Sequence, residues 1–365
     1  MRIGILGAGQ LGQMLGFAAR GLGYECCFVD PSDSPPAASA GQVIRAAFDD
    51  ENALATLAER CDVITYEFEN VPVAALASLT DKVPVYPPLK ALRKAQDRLS
   101  EKRLFDELDI PVPDYQSIDT RADLDNAINE FGLPVVVKTR RFGYDGKGQV
   151  VIRDASELDD VWRSLDSRAA IAEAWVNFDL EVSILGARNP RGEMAIWPLS
   201  SNEHVGGILR TTRAPLDNDV ISARAETYMQ RLLKHLDYVG VLALELFVVD
   251  DSLLANEYAP RVHNSGHWTI EGAETSQFTN HLLTITGRTP RPTAARGYAG
   301  MVNLIGSIPD AIREISGPGS ALHDYGKTPR PDRKLGHITV VADTAAKRDD
   351  RLAEICKTVT QSTGD

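Results

Sequence analysis

A valine-rich run followed by a glycine-rich segment, PVVVKTRRFGYDGKGQ at residues 134–149, most restricts what this chain can fold into. The valines at 135–137 are β-branched and follow a proline, which predicts a short buried strand that ends at Lys138. The segment from Phe142 to Gln149 is rich in glycine, whose backbone can approach a ligand closely. Bare N–H groups beside a lysine can hold a polyphosphate. The pattern therefore predicts a phosphate-binding loop, with an ordinary glycine-rich hairpin as the alternative.

A second glycine motif opens the chain. Arg2–Leu6 predicts a strand, Gly7-Ala-Gly-Gln-Leu-Gly12 follows, and a helix and a second strand then lead to Asp30. This order is the dinucleotide-binding fingerprint, although the same loop can hold any phosphate at a helix N-terminus. The motif taken alone leaves open an NAD-dependent oxidoreductase, and also a purely structural role for the glycines in a tight turn.

Composition limits the classes of function. The 365 residues suffice for two or three domains, and 43% hydrophobic with 25% charged residues is typical of a globular protein. The net charge of −12 argues against general nucleic-acid binding, which needs a basic face. The sequence contains no apolar run long enough for a membrane span, and its four cysteines lack metal-ligand spacing. We expect no nucleic-acid partner, no membrane and a reducing, cytoplasmic location.

Two acidic residues lie on neighbouring predicted strands, Val241–Val249 and Leu253–Tyr258. If the three residues from Asp250 to Ser252 form the hairpin loop, Glu245 faces Glu257. Facing carboxylates repel each other unless a cation lies between them, and oxygen ligands of this kind suit Mg²⁺. The pattern predicts a magnesium site, whereas a slip of one residue would leave Glu257 as a solvated strand charge.

The rest of the chain predicts three domains, at residues 1–95, 96–287 and 288–365. A single long helix is predicted for Leu89–Leu108, across the boundary between the first and second domains. A polar, irregular loop, Pro260–Thr269, follows the predicted carboxylate pair directly, which favours a functional role for it.

Taken together, the motifs resemble the ATP-grasp superfamily and, within it, the family of 5-(carboxyamino)imidazole ribonucleotide synthases. The motifs that carry the resemblance span nearly the whole chain: GAGQLGQML at 7–15, YEFENVP at 66–72, DRLSEK at 97–102, KTRRFGYDGKGQ at 138–149, EAWV at 173–176, APRVHNSGHWT at 259–269, and YGK with RKLGH near the C-terminus. The combination of APRVHNSGHWT with GYDGKGQ is specific. One departure is Ala259-Pro-Arg where the wider superfamily has Asn-Pro-Arg, so an asparagine metal ligand is missing and two carboxylates must suffice.

The resemblance implies an α/β protein, α+β in its central part, with the ATP-grasp fold. A Rossmann-like N-terminal domain, a central ATP-grasp domain with a glycine-loop lid and a small C-terminal α/β domain are expected. The implied reaction carboxylates 5-aminoimidazole ribonucleotide in de novo purine biosynthesis, with ATP, Mg²⁺ and bicarbonate, and gives ADP and phosphate. Carboxyphosphate or the CO₂ released from it would be the carboxyl donor. A homodimer is also expected.

The resemblance also implies roles for particular residues. ATP contacts are expected from Arg98, Lys138, Gly143, Tyr144, Asp145, Gly146, Lys147, Gly148, Gln149, Glu173, Ala174, Trp175, Val176, Glu181, His204, Asn256 and Glu257. Ribonucleotide contacts are expected from Gly9, Gln10, Leu11, Glu67, Lys147, Asn264, Ser265, Lys327, Arg333 and Lys334, with either of the last two facing the phosphate. Catalytic residues would be Tyr144, Asp145, Arg261 and His263, with Asp145 or His263 as the proton acceptor. The metal ligands would be Glu245 and Glu257.

Other hypotheses stay open beside the synthase. Another ATP-grasp carboxylase or ligase would share the same motifs. An NAD-dependent oxidoreductase would use the first glycine loop and Asp30, but it leaves Glu245, Glu257 and the second glycine loop unexplained. A non-catalytic nucleotide-binding protein predicts loss of the lysine or of a metal carboxylate, and Lys138 and both glutamates are present.

Overall fold

The computed structural model describes residues 1–143, 148–166, 168–315, 317 and 319–363. Within these ranges, helices and strands are interspersed along the chain, and the strands form three β-sheets. The predicted α/β class is confirmed. None of the helices in these ranges is long and apolar enough to cross a membrane.

The N-terminal unit is a parallel sheet flanked by helices. Its elements are β1 (Arg2–Leu6), α1 (Gln10–Gly21), β2 (Glu25–Asp30), β3 (Gln42–Arg45), α2 (Glu51–Arg60), β4 (Val63–Tyr66) and α3 (Val73–Ala77). The strand order is β3-β2-β1-β4, so the direction of winding reverses between β1 and β4. Open parallel sheets bind ligands at the carboxyl ends of strands at such a reversal. The first glycine motif follows β1 at this point.

Two helices then connect to the next sheet, α4 (Leu89–Ala95) and α5 (Arg98–Glu107). The prediction of one helix over Leu89–Leu108 was wrong, because the first helix ends at Ala95 and Asp97 is the N-cap of the second. Its Oδ1 accepts hydrogen bonds from the N–H groups of Leu99 and Ser100, both at 3.1 Å. Arg98 is therefore the first residue of α5.

A four-stranded antiparallel sheet carries the second glycine motif. It contains β5 (Tyr115–Ile118), α6 (Arg121–Phe131), β6 (Val135–Thr139), β7 (Gln149–Ile152), α7 (Leu158–Leu165) and β8 (Ala170–Ala174), in the strand order β5-β8-β6-β7. The strand predicted from the valine run is confirmed as β6, and the glycine-rich segment joins β6 to β7. Four residues of that segment, 144–147, lie outside the described residues.

The third sheet has nine strands and runs into the C-terminal part of the chain. Its elements and those packed on it are β9 (Leu180–Arg188), β10 (Met194–Ile196), β11 (Ser200–Val205), β12 (Ile208–Ala214), α8 (Asp219–His235), β13 (Gly240–Val249), β14 (Ser252–Ala259), α9 (Thr269–Gly272), α10 (Gln277–Ile285), β15 (Tyr298–Ile305), α11 (Asp310–Glu314), β16 (Ser320–Asp324), β17 (Lys334–Ala342) and α12 (Ala345–Thr363). The main order is β14-β13-β9-β11-β12-β15-β17-β16, with β10 paired to β9. The C-terminal strands thus extend the central sheet, and the domain boundaries at 95 and 287 stay a prediction.

The hairpin of β13 and β14 contains a β-bulge. Its turn consists of Asp250 and Asp251, both at positive φ (45° and 62°), and Val249 pairs with Ser252. The three-residue loop expected from the sequence is therefore wrong. The register shifts farther along the hairpin, so that Glu245 nevertheless pairs with Glu257, as predicted. Asn256 is left without a partner on β13.

Candidate active site

Two adjoining cavities lie around the ends of these strands. The glycine-loop cavity, of about 390 Å³, has Gln10, Leu11 and Glu67 among its lining residues. The lysine cavity, of about 280 Å³, has Lys138 and Glu173 among its lining residues. The residues that line both cavities are Arg98, Glu257, His263, Asn264 and Lys334. The two cavities therefore share part of their walls, so that ligands bound in them would lie next to each other.

The facing carboxylates belong to the wall of the lysine cavity. Among the described residues, Oε1 of Glu245 is buried without a hydrogen-bond partner, and Nδ1 of His263 lies 3.5 Å from it. Burial, and then the charge of Glu257, raise the pKa of Glu245 to about 7. Arg98 Nη1 donates to Glu257 Oε2 at 3.0 Å. A buried carboxylate oxygen with no partner, opposite a second carboxylate, fits a hard cation such as Mg²⁺.

The carboxylate pair can supply only part of a metal coordination shell. Over the part of the chain that the structure describes, no group of three or more His, Cys, Asp or Glu side chains is placed to hold a metal ion. Mg²⁺ commonly keeps waters and substrate phosphates as ligands beside one or two carboxylates. The pair is therefore suited to a metal ion that arrives with a phosphorylated ligand.

Lys138 stands at the end of β6 beside a buried carboxylate. Its Nζ donates to Glu173 Oε2 at 2.9 Å, and Lys102 Nζ lies 3.4 Å from the same oxygen. Burial would raise the pKa of Glu173, but the charges of Lys102 and Lys138 outweigh burial and lower it to about 2. Two ammonium groups against one carboxylate leave a net positive charge, which suits a phosphate chain.

The wall of the lysine cavity also combines an ion pair with aromatic side chains. Nδ1 of His204 lies 2.7 Å from Glu181 Oε2. Burial lowers the pKa of His204, but the hydrogen bond with Glu181 and the charge of Glu245 outweigh it and raise the pKa. Phe178 and Phe247 stack with their ring centroids 4.8 Å apart. A flat apolar wall of this kind suits a heterocyclic base.

In the glycine-loop cavity, the protein's own carboxylates occupy the dinucleotide fingerprint. Glu67 accepts hydrogen bonds from the N–H groups of Gly9 and Gly12, the latter at 2.5 Å. Asp30 Oδ2 accepts from the N–H of Ala8 at 2.9 Å. Burial raises the pKa of Glu67 in spite of these hydrogen bonds. The N–H groups that would hold a pyrophosphate are therefore already engaged, which argues against the oxidoreductase hypothesis.

The polar loop after β14 is fixed by contacts of its side chains. Arg261 Nε donates to Glu69 Oε2, and the two form a largely buried ion pair. Nδ1 of His263 lies 2.9 Å from Ser265 Oγ, and burial, followed by the charge of Arg261, lowers the pKa of His263 well below its usual range. His263 is thus a neutral imidazole at pH 7, and it lines both cavities.

The basic residues predicted near the C-terminus occupy different positions. Lys327 Nζ donates to Gln10 Oε1 at 2.5 Å, which brings it to the edge of the glycine-loop cavity. Burial, and then the charge of Arg333, lower the pKa of Lys327 to about 8. Lys334 lines both cavities, whereas Arg333 donates to the carbonyl of Thr328 at 3.1 Å and lines neither.

The structure brings most of the residues predicted from the sequence to these cavities. Those that line the lysine cavity alone are Lys138, Gln149, Glu173, Ala174, Trp175, Val176, Glu181, His204, Glu245 and Asn256. Those that line the glycine-loop cavity alone are Gln10, Leu11, Glu67, Gly143 and Arg261. Gly9, Ser265 and Lys327 line neither but hydrogen-bond to residues that do, and Gly148 also lines neither. Tyr144, Asp145, Gly146 and Lys147 lie outside the described residues.

Sequence reasoning missed some of the residues that hold the site together. Glu69 pairs with Arg261, and Glu101 and Lys102 bind the backbone of β14. Glu69 lies within YEFENVP, and the other two lie within DRLSEK, but neither motif by itself predicts a role for these residues. Asn303, which exchanges hydrogen bonds of 3.0 and 2.8 Å with Asn264, lies in a strand that carried no signal.

Comparison with protein families gives a match in each part of the chain. Residues 1–96 match the ribonucleotide synthetase preATP-grasp domain, and residues 103–278 match the ATP-grasp domain. Residues 299–351 match the phosphoribosylaminoimidazole carboxylase C-terminal domain.

Individual proteins are similar to this chain over almost its whole length. An N5-carboxyaminoimidazole ribonucleotide synthase of Pseudomonas aeruginosa is 46% identical over 355 residues, which cover 97% of this chain and 98% of that protein. The crystal structure of the Thermus thermophilus N5-carboxyaminoimidazole ribonucleotide synthetase has a TM-score of 0.94 and 47% identity, with 98% of each chain covered. The Aspergillus clavatus N5-carboxyaminoimidazole synthase in complex with ADP and 5-aminoimidazole ribonucleotide has a TM-score of 0.90 and 29% identity, and covers 99% of this chain and 98% of that one.

Proposed function

The chain belongs to the family of N5-carboxyaminoimidazole ribonucleotide synthases, which are ATP-grasp ligases, and we propose that it carboxylates the amine of 5-aminoimidazole ribonucleotide. Bicarbonate supplies the carboxyl group, and ATP is converted to ADP and phosphate. The observation that carries the proposal is the pair of adjoining cavities with shared walls. The Aspergillus clavatus enzyme binds ADP and the ribonucleotide together, which agrees with two ligands in contact.

The lysine cavity is the proposed ATP site. Lys138 would bind the phosphates, and Glu245 with Glu257 would hold Mg²⁺, whose chemistry is to neutralise the charge of the phosphoryl group that is transferred. Arg98 lies 3.0 Å from Glu257 Oε2 and would place a further cation beside the transferred group. The base would lie against the aromatic side chains of the cavity wall, which include Trp175.

Bicarbonate would react where the cavities share their walls. It is a poor electrophile, so phosphorylation to carboxyphosphate activates it for attack by the ribonucleotide amine. Carboxyphosphate, and any CO₂ it releases, are lost to water, so the site has to exclude solvent during the reaction. The glycine-rich segment between β6 and β7 is the proposed lid, and its residues 144–147 lie outside the described ranges.

The glycine-loop cavity is the proposed ribonucleotide site. Arg261 and Glu67 would bind polar groups of the substrate, and Lys327 with Lys334 would bind its phosphate. His263 and Asp145 are the two candidates for accepting the proton of the attacking amine. Comparison of His263→Gln with Asp145→Asn separates them, because loss of the proton acceptor should leave ATP cleavage while product formation falls. The true acceptor is the one whose variant raises the ratio of ADP to carboxylated product.

Omission of each substrate in turn tests the proposed function. ADP release should require ATP, Mg²⁺, bicarbonate and 5-aminoimidazole ribonucleotide together, and isotopically labelled bicarbonate should appear in the ribonucleotide. ADP release that does not depend on the ribonucleotide, with no label incorporated, would contradict the proposal. Binding of NADH in preference to ATP would favour the oxidoreductase instead. A cytoplasmic homodimer also stays a prediction, and sedimentation velocity measures its oligomeric part.

A further inference from the structure

Helix α5 covers an open sheet edge at the proposed metal site. Strand β14 is the last strand of the nine-stranded sheet, so among the described strands its outer N–H and C=O groups have no neighbour. The N–H of Tyr258 donates to Glu101 Oε1 at 2.7 Å. Lys102 Nζ donates to the carbonyl of Asn256 at 2.9 Å and to that of Ala255 at 3.3 Å. Two consecutive ionisable side chains of α5, together with the carbonyl of Pro111, which accepts from the N–H of Ala255 at 2.6 Å, therefore take the place of the missing strand.

These contacts converge on the bulge of the hairpin. From the turn to Leu246, the strands run in one register, and at Glu245 the register shifts by one residue because Asn256 is inserted. An unbroken register would place Asn256 opposite Glu245 and would turn the side chain of Glu257 to the other face of the sheet. The bulge is thus what makes the two carboxylates face each other, and Lys102 binds the carbonyl of the inserted residue.

Lys102 also connects this bulge to Lys138, the lysine proposed to bind the phosphates of ATP. Its side chain is 1% exposed, and its charge is balanced by Glu173 Oε2 at 3.4 Å. Glu173 in turn accepts from Lys138 Nζ at 2.9 Å. A lysine this deeply buried needs such partners. One side chain therefore contacts the β14 backbone and the carboxylate that orients Lys138.

We propose that Lys102 is a positioning residue that holds the β-bulge at Asn256, and that this bulge keeps Glu257 in register with Glu245 to bind Mg²⁺. The inference rests on the proposed function only in taking the carboxylate pair as the metal site. Lys102 contacts neither metal nor substrate, and it acts through the backbone of β14.

Metal binding without turnover tests the inference. Mn²⁺ replaces Mg²⁺, ADP replaces ATP, and free Mn²⁺ is measured by electron paramagnetic resonance. Lys102→Met should weaken Mn²⁺ binding roughly 10- to 100-fold, the usual effect of losing a residue that orients a metal ligand. Lys90→Met is the matched control, because Lys90 also donates to a backbone carbonyl and a carboxylate, at 3.2 and 3.1 Å, but lies exposed at the surface. The control should bind Mn²⁺ like the wild type.

Deletion of Asn256 tests whether Lys102 acts through the strand register or only through packing of the protein core. Without the inserted residue, an unbroken ladder sets Glu257 opposite Glu245 with no bulge to hold. The double variant, Lys102→Met with Asn256 deleted, should therefore bind Mn²⁺ more tightly than Lys102→Met alone. If Lys102→Met does not fold by circular dichroism, the double variant should regain both fold and Mn²⁺ binding. Wild-type affinity in Lys102→Met, or a double variant no better than Lys102→Met, overturns the inference.

Failure of the inference about Lys102 can be distinguished from failure of the proposed function. If the wild type binds Mn²⁺ with ADP but forms no carboxylated product, the proposed function fails, and the Lys102 comparison still decides the inference. If the wild type forms product and Lys102→Met binds Mn²⁺ normally, the inference alone fails. A wild type that does not bind Mn²⁺ with ADP overturns the metal site and the inference together.

Discussion

Replacement of Lys327 by methionine should weaken ribonucleotide binding selectively. Lys327 donates to Gln10, a residue of the glycine-loop cavity, at 2.5 Å, and with Lys334 it is proposed to bind the phosphate. Loss of a charge-assisted hydrogen bond costs about 1.5–3 kcal/mol, or roughly 10- to 150-fold in affinity. The Michaelis constant for the ribonucleotide should rise by about this factor, and that for ATP should change little, in initial rates of ADP release. Lys347→Met, at an exposed lysine paired with Asp343, is the control.

The pH dependence follows from the state of the same lysine. Burial and the charges of Arg333, Lys334 and Arg330 lower the pKa of Lys327 to about 8, and Glu67 opposes them. A phosphate binds the ammonium form, so binding is complete below that pKa and is lost above it. The ammonium fraction falls about tenfold between pH 7 and pH 9, and the wild-type Michaelis constant should rise by the same factor. Lys327→Arg should show no such rise, because a guanidinium stays charged.

Three outcomes would refute this account of Lys327. Michaelis constants that barely move in Lys327→Met would make the lysine a solvated charge. A rise in the Michaelis constant for ATP alone would mean that ATP binds in the glycine-loop cavity and the ribonucleotide in the lysine cavity. Equal rises for both substrates would indicate damaged folding, which thermal melting of the variant reports independently.

Three further substitutions test other parts of the site. Glu257→Gln should retain the fold and lower turnover at least about 100-fold, because it removes one proposed metal ligand; activity within about threefold of wild type at saturating Mg²⁺ would exclude that role. Glu69→Gln removes the charged partner of Arg261 and should lower the free energy of unfolding by roughly 1.5–3 kcal/mol, and an unchanged urea midpoint would contradict this. Gly9→Ala would bring a Cβ within 2.7 Å of Glu67 Oε1. Because this displaces Glu67, the Michaelis constant for the ribonucleotide should rise and that for ATP should not; equal effects on both constants would place Glu67 outside the ribonucleotide site.

Residue types and their order along the chain were enough for much of the site. The valine run before Lys138 formed the predicted strand β6 because β-branched residues suit a buried, pleated backbone. The predicted partnership of Glu245 and Glu257 is confirmed, and the family indicated by the motifs is confirmed over almost the whole chain. These features depend on local chemistry, which the sequence carries directly.

Local patterns failed where two tendencies competed over a short distance. The apolar spacing across Leu89–Leu108 suits one helix, but Asp97 is also a good N-cap. Arg140, which directly follows β6, donates a hydrogen bond to the carboxylate of Asp97 at 2.7 Å. That tertiary contact favours the cap over a continuous helix, and the break places Arg98 at the start of α5 beside Glu257.

The tertiary structure alone decided how the motifs were used. Glu67 fills the first glycine loop because the winding order of the parallel sheet brings the ends of β1 and β4 together. The pairing of Glu245 with Glu257 was predicted from a three-residue loop, whereas the chain achieves it with a two-residue turn and a bulge. The carbonyl at that bulge is bound by Lys102, which is 154 positions away in sequence. Strand register depends on such distant partners, because an unpaired backbone group at a sheet edge is stabilised only by what the fold packs against it.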